Sequence, residues 1–165
     1  MPILNPNTFE FISRNPAQTK RIGIRLGRLL KAEDLICLSG DLGAGKTTLV
    51  QGIASGWGTS DLVTSPTFVL VNNYRRPDGL EMNHLDAYRL SNALEAEELD
   101  MDYFLSRGPL LVEWAERISQ ALPEDNLWIS MSWQGEQQRR LVVSPHGERF
   151  QKLFEKLKDL TFKGF

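Results

Sequence analysis

The stretch Leu35-Ile36-Cys37-Leu38-Ser39-Gly40-Asp41-Leu42-Gly43-Ala44-Gly45-Lys46-Thr47-Thr48 decides the fold. Within it, Gly40 is separated by four residues from Gly45-Lys46-Thr47, behind an apolar run and ahead of the helix-forming Leu49-Val50-Gln51-Gly52-Ile53-Ala54. A strand, a glycine turn and a helix, in that order, are what a phosphate-cradling loop requires. Glycines at 40, 43 and 45 free the backbone to converge its N–H groups on phosphate oxygens at the positive end of the following helix. Lys46 adds a mobile cation for the outer phosphates, and the Thr47 hydroxyl is a magnesium ligand of the type such loops supply. The alternative is an ordinary strand-to-helix turn, which explains the glycines but not the Gly-Lys-Thr that follows them.

With 165 residues, 41% hydrophobic and 24% charged, the chain has the size and composition of one globular domain, expected to span 1–165. No apolar run approaches the roughly 20 residues needed to cross a bilayer, and the start lacks the pattern of a secretory signal, so a cytoplasmic protein is expected. Cys37 is the single cysteine and sits in an apolar strand, where it reads as a small buried side chain. His84 and His146 are far apart with no cysteine cluster near them, which disfavours zinc. A net charge of −2 argues against a protein that holds RNA chiefly by its own field, so any RNA contact is expected to be secondary. The acids Glu95, Glu97, Glu98, Asp100 and Asp102 and the basic tail from Arg149 read as solvated faces in preference to docking surfaces.

Upstream of the loop, Thr8 to Ile12 suggests a short strand. Asn15-Pro16 suggests a capped helix carrying Ile22, Leu26, Leu29 and Leu30 on one face, with Thr19 either close to a bound base or, the preferred reading, simply at the surface. Downstream, Ser65-Pro66-Thr67 reads as a loop leading into a strand near Phe68, with Thr67 either a phosphate or water contact or a turn hydroxyl. Pro77-Asp78-Gly79 marks a hairpin between the strand through Val71 and one from Glu81 to Leu85, which runs into Asp86 at a strand end, where α/β sheets place ligand groups. One acidic helix is expected from Ala93 to Leu105. Leu110-Leu111-Val112-Glu113 describes a buried strand ending in a carboxylate that either organises magnesium or pairs with an arginine such as Arg117. Alternation from Leu127 to Trp133 and from Arg139 to Ser144 gives an antiparallel hairpin, and Phe150 to Leu160 a closing amphipathic helix.

Four motifs, Gly40 to Thr48, Ser65 to Phe68, His84 to Leu90 and Leu111 to Trp114, closely resemble in order and separation the TsaE family, formerly the YjeE family. These are small bacterial ATPases of tRNA threonylcarbamoyladenosine biosynthesis. The resemblance covers nearly the whole chain from Thr19 onward. It implies an α/β, three-layer P-loop NTPase-like fold with a mixed, partly antiparallel central sheet. It also implies ATP and Mg2+ as cofactors and TsaB and TsaD as partners, with the transfer chemistry on TsaD. By position it implies that Gly40, Asp41, Leu42, Gly43, Ala44, Gly45, Lys46, Thr47 and Thr48 hold the phosphates, with Thr47 and Glu113 on magnesium. It makes Asp86 a second acid near the terminal phosphate, and Thr67 and Trp114 residues that shape or sense the site. It further implies an arginine near the nucleotide, for which Arg139 and Arg140 both qualify and Arg140 is taken. Ala115 stands where many relatives have proline.

Asp86 or Glu113 is then expected to orient the attacking water, with Lys46 stabilising charge on the phosphoryl group. Two other readings stay open, a small-molecule kinase using Asp86 as base and a nucleotide-gated assembly module whose hydrolysis is incidental. A GTPase is disfavoured because the Asn-Lys-x-Asp guanine signature is absent.

Overall fold

The buried apolar run Leu35 to Leu38 forms the centre of the molecule, since a strand hydrophobic on both faces must be covered on both. In a computed structural model, which describes residues 8–41, 43–64 and 71–163, this strand is β2 (Leu35–Gly40), after β1 (Phe9–Ser13) and α1 (Pro16–Gly27). There follow α2 (Lys46–Trp57), β3 (Val71–Arg75), β4 (Glu81–Asp86), α3 (Ala93–Glu97), α4 (Met101–Arg107), β5 (Leu110–Glu113), β6 (Asn126–Trp133), β7 (Arg139–His146) and α5 (Glu148–Lys163). The described strands make one seven-stranded sheet in the order β1-β7-β6-β2-β5-β4-β3. β2 is parallel to both β5 and β6, and β4 is parallel to β5, while the outer pairs β1–β7, β6–β7 and β3–β4 are antiparallel. Among the described residues no helix is long and apolar enough to cross a membrane.

Alternation along β2 divides the core. Ile36 and Leu38 pack with α1, α2 and α5, whereas Leu35 and Cys37 pack with the α3–α4 side. The result is helices on both faces of a mixed sheet, the three-layer α/β architecture expected. Burial pushes the Cys37 thiol up to about 12, which makes it an inert core group.

Local chemistry sets the element boundaries. The Asn15 side chain accepts a hydrogen bond from the Gln18 amide at 2.9 Å, and Pro16 opens α1. The hairpin turn closes through Gly79 N–H to the Arg76 carbonyl, at a glycine with φ of 86°. Three expectations need correction. The acidic segment is two helices, because Asp100 accepts from the Tyr103 amide at 3.0 Å and starts a new one. Its five acids are all exposed, as solvated residues should be. Regular α1 ends at Gly27, and Leu29 and Leu30 follow in a turn. Thr19 is not at the surface but 2% exposed, with its hydroxyl 2.6 Å from that of Ser13, so it ties α1 to β1.

The contact between α1 and α2 is closer than side chains on both helices would permit. A Cβ on Gly27 would strike the Ile53 carbonyl, one on Gly52 the Lys20 carbonyl, and one on Gly56 the Ile24 carbonyl. Because these neighbours are backbone, they cannot turn aside. Gly56→Val is therefore expected to cost about 3 kcal/mol or more and to lower Tm by roughly 6 °C or more. Gly135→Ala, whose added methyl meets only the Gln138 side chain at ordinary distances, should leave Tm within about 1 °C of the starting protein in thermal unfolding.

Candidate functional site

Parallel pairing brings the ends of four strands to one rim of the sheet. Gly40 at the end of β2 lies in register with Met131 of β6, Leu38 with Glu113 of β5, and Glu113 with Asp86 of β4. The pleat then selects a face. Asp86 and His84 share the side of Met82, and Glu113 shares that of Leu111, which is the face covered by α1 and α2. Both acids thus meet the N-terminus of α2, where the helix dipole favours negative charge.

The loop has the backbone its glycines permit. Gly40 has φ of 134° and a Cβ there would run into the Met131 carbonyl, and Gly45, with φ of 95°, caps α2 in the left-handed region. Asp41 and Gly43 are exposed and Ala44 is fully buried, while Thr47 and Thr48, half-buried, stand in the first helical turn. Leu42 and Thr67 lie outside the described residues, as does the expected loop and strand start from Ser65 to Phe68.

Lys46 is 6% exposed, and its Nζ donates to the carbonyls of Gly40 at 2.6 Å and Asp41 at 3.3 Å. The ring of Trp114 covers it, with the ammonium 3.7 Å from the ring centroid. Burial pulls the Lys46 ammonium below its ordinary value, against the opposing pull of Glu113, Glu116, Asp86 and Asp41. Trp114 reaches this position through a left-handed backbone, φ 58° and ψ 37°, that costs a bulky residue on the order of 1 kcal/mol. Its other neighbour is Tyr88, at 5.0 Å between ring centroids, over which the Arg117 guanidinium stacks at 4.9 Å.

Asp86 is half-buried and accepts from the Tyr88 amide at 2.9 Å. Burial raises its carboxyl above the ordinary range, and the neighbouring Glu113 charge raises it further. Glu113 is 4% exposed, and its partner is not Arg117 but His84, with 2.6 Å between Nε2 and Oε2. The sequence reading missed His84 in this position. His84 entered only as the first residue of a family motif, with no role, and its offset of two residues from Asp86 on a strand was the signal that it faces the same side.

The late hairpin separates the two arginines. Arg140 falls on the sheet face away from α2 and pairs with Glu10 at 3.0 Å, so its assignment beside the nucleotide does not hold geometrically. Arg139, one residue earlier, faces the loop. Its chain lies about a van der Waals contact from where a Gly45 Cβ would be, and its Nη1 donates to the carbonyls of Gly135, Glu136 and Gln138. Its Nε is buried with no hydrogen-bond partner among the described residues. Trp133, also missed, lies with its ring edge against Gly43 and under the Arg139 guanidinium at 4.1 Å. A glycine cradle, a buried lysine, an orphaned guanidinium N–H and two acids at one rim form a set suited to a polyanion with a divalent cation.

Comparison with known proteins agrees with this geometry. The family model described as threonylcarbamoyl adenosine biosynthesis protein TsaE matches residues 13–141. The tRNA threonylcarbamoyladenosine biosynthesis protein TsaE of Bacillus subtilis is 40% identical over 87% of this chain and 89% of its own length. That of Streptomyces coelicolor is 43% identical over 79% of this chain and 93% of its own. The crystal structure of Bacillus subtilis YdiB superposes with a TM-score of 0.77 at 33% identity, covering 93% of this chain and 96% of that one. With the family model spanning most of the chain and the loop, the acids and the sheet order in place, this chain belongs to the TsaE family of tRNA threonylcarbamoyladenosine biosynthesis.

Proposed function

We propose that the chain is a magnesium-dependent ATP-binding and ATP-hydrolysing subunit, slow alone and dependent on partners. It would act in the cytoplasm with TsaB and TsaD in threonylcarbamoyl modification of the adenosine next to the anticodon of tRNA. The observation that carries this reading is the meeting of the Gly40–Thr48 loop with Asp86 and Glu113 on one face of one sheet rim. The loop amides and Lys46 would hold the phosphates, Thr47 and Glu113 the magnesium, and Arg139 would turn its unpaired Nε to the nucleotide. When bound, magnesium neutralises charge on the phosphate oxygens. Asp86, whose carboxyl burial holds above its ordinary value, suits a group that orients a water and accepts its proton.

The contacts of Lys46 support a nucleotide-gated subunit. Its ammonium bonds to the loop's own carbonyls under the Trp114 ring, so a phosphate would meet a lysine already held against the loop. This observation also favours a second reading, an assembly module whose hydrolysis is incidental.

In reconstituted tRNA modification with TsaB and TsaD, Lys46→Ala is expected to lose repeated turnover and to bind ATP at least about tenfold more weakly. ATP turnover by the isolated chain as fast as in the complex would count against partner dependence. Glu113→Gln separates the two readings when hydrolysis and modification are assayed together. Loss of both supports the ATPase, whereas full modification without hydrolysis supports the module. Arg139→Ala should raise the Kd for ADP about tenfold, and Arg140→Ala should leave it within about twofold, by fluorescence titration.

A further inference from the structure

Two buried polar side chains, His84 and Tyr74, have no part in the phosphate chemistry above, yet they connect directly to it. His84 is fully buried on β4, in register with Leu111 of β5, so its side chain points along the same face as Glu113 two residues further on. Its Nε2 lies 2.6 Å from Glu113 Oε2 and its Nδ1 2.9 Å from the Tyr74 hydroxyl. Tyr74, 2% exposed on β3, also lies 3.3 Å from the Thr64 carbonyl. An ionised carboxylate only accepts, so Nε2 carries the hydrogen. On the other side of the ring, Nδ1 meets the Tyr74 hydroxyl, whose single hydrogen also faces the Thr64 carbonyl.

Three strands thus contribute one residue each to a connected chain of Tyr74, His84 and Glu113. Only Oε2 of Glu113 is engaged, and among the described residues no hydrogen bond reaches Oε1. We propose that His84 is the positioning residue of Glu113. It fixes the carboxylate in one rotamer through Oε2 and leaves Oε1 for the divalent cation, while Tyr74 holds the far side of the imidazole ring in place. The proposal rests on the magnesium-dependent nucleotide site proposed above. Outer partners that orient a metal ligand typically change metal affinity about 10- to 100-fold when removed. A purely structural histidine would change stability and leave the metal response alone.

The test uses the full chain and fluorescent ADP, titrated in EDTA and then across Mg2+ concentration, with Tm recorded alongside. In EDTA, His84→Leu, His84→Gln and Tyr74→Phe should bind ADP within about twofold of the wild type. The Mg2+ concentration for half-maximal effect should rise about tenfold or more in His84→Leu, and about threefold in Tyr74→Phe. His84→Gln, whose amide N–H can still reach Glu113, should fall between wild type and His84→Leu. Unmoved Mg2+ midpoints overturn the positioning role, as does a parallel loss of affinity in EDTA and in Mg2+. If His84→Leu does not fold, Tyr74→Phe, which removes a single oxygen, decides by the same criterion. A wild-type chain whose ADP affinity ignores Mg2+ would instead overturn the nucleotide-site reading itself, and the positioning role with it.

Discussion

Parallel pairing of β2 with β5 on one side and β6 on the other is the constraint on which the rest of the molecule depends. In a parallel pair both strands end at the same rim, so whatever follows β2 must share space with whatever ends its neighbours. That rule puts the Gly40–Thr48 loop beside Glu113, and through β4 beside Asp86, with no long connection needed to bring them together. It also requires coverage on both faces, which α1, α2 and α5 provide on one side and α3 and α4 on the other. The glycine-to-backbone contacts of α1 with α2 follow from the same demand, because α2 must start at the loop and still lie tight on the sheet.

Collecting charge at that rim carries an electrostatic cost that neighbouring groups offset. Lys46 and Glu113 are both nearly buried, and a buried charge without a partner costs several kcal/mol. Lys46 is compensated by two loop carbonyls, the face of Trp114 and the summed field of nearby acids. Glu113 is compensated by an imidazole that is itself held by a phenol. Both charges are therefore held by neighbouring groups, whereas the buried Arg139 Nε has no hydrogen-bond partner among the described residues.

Local chemistry made much of the fold legible before any coordinates. The Asn15 cap, the Pro77-Asp78-Gly79 hairpin, the apolar strand at Leu35, the alternation from Leu127 and the closing helix each depend on residues a few positions apart. The loop and both acids were legible for the same reason, as a fixed pattern and two strand ends. Where the reading failed, the deciding contact lay far away in sequence or turned on a single position. Asp100 split one expected helix into two by capping its second half. Thr19 was drawn inside by Ser13 on a neighbouring strand. Arg139 and Arg140 are indistinguishable in composition, yet the pleat sends them to opposite faces, and only the register of β7 against β1 and β6 says which.

By itself, then, the sequence determined the order of elements and the family motif set, because both are encoded in short-range spacing. Tertiary structure alone decided that Glu113 is partnered by His84 and Tyr74, that Lys46 rests under Trp114, and that Arg139 and Trp133 flank the loop. Those contacts join strands tens of residues apart, and strand register and face, which spacing along one chain does not specify, fix which side chains meet.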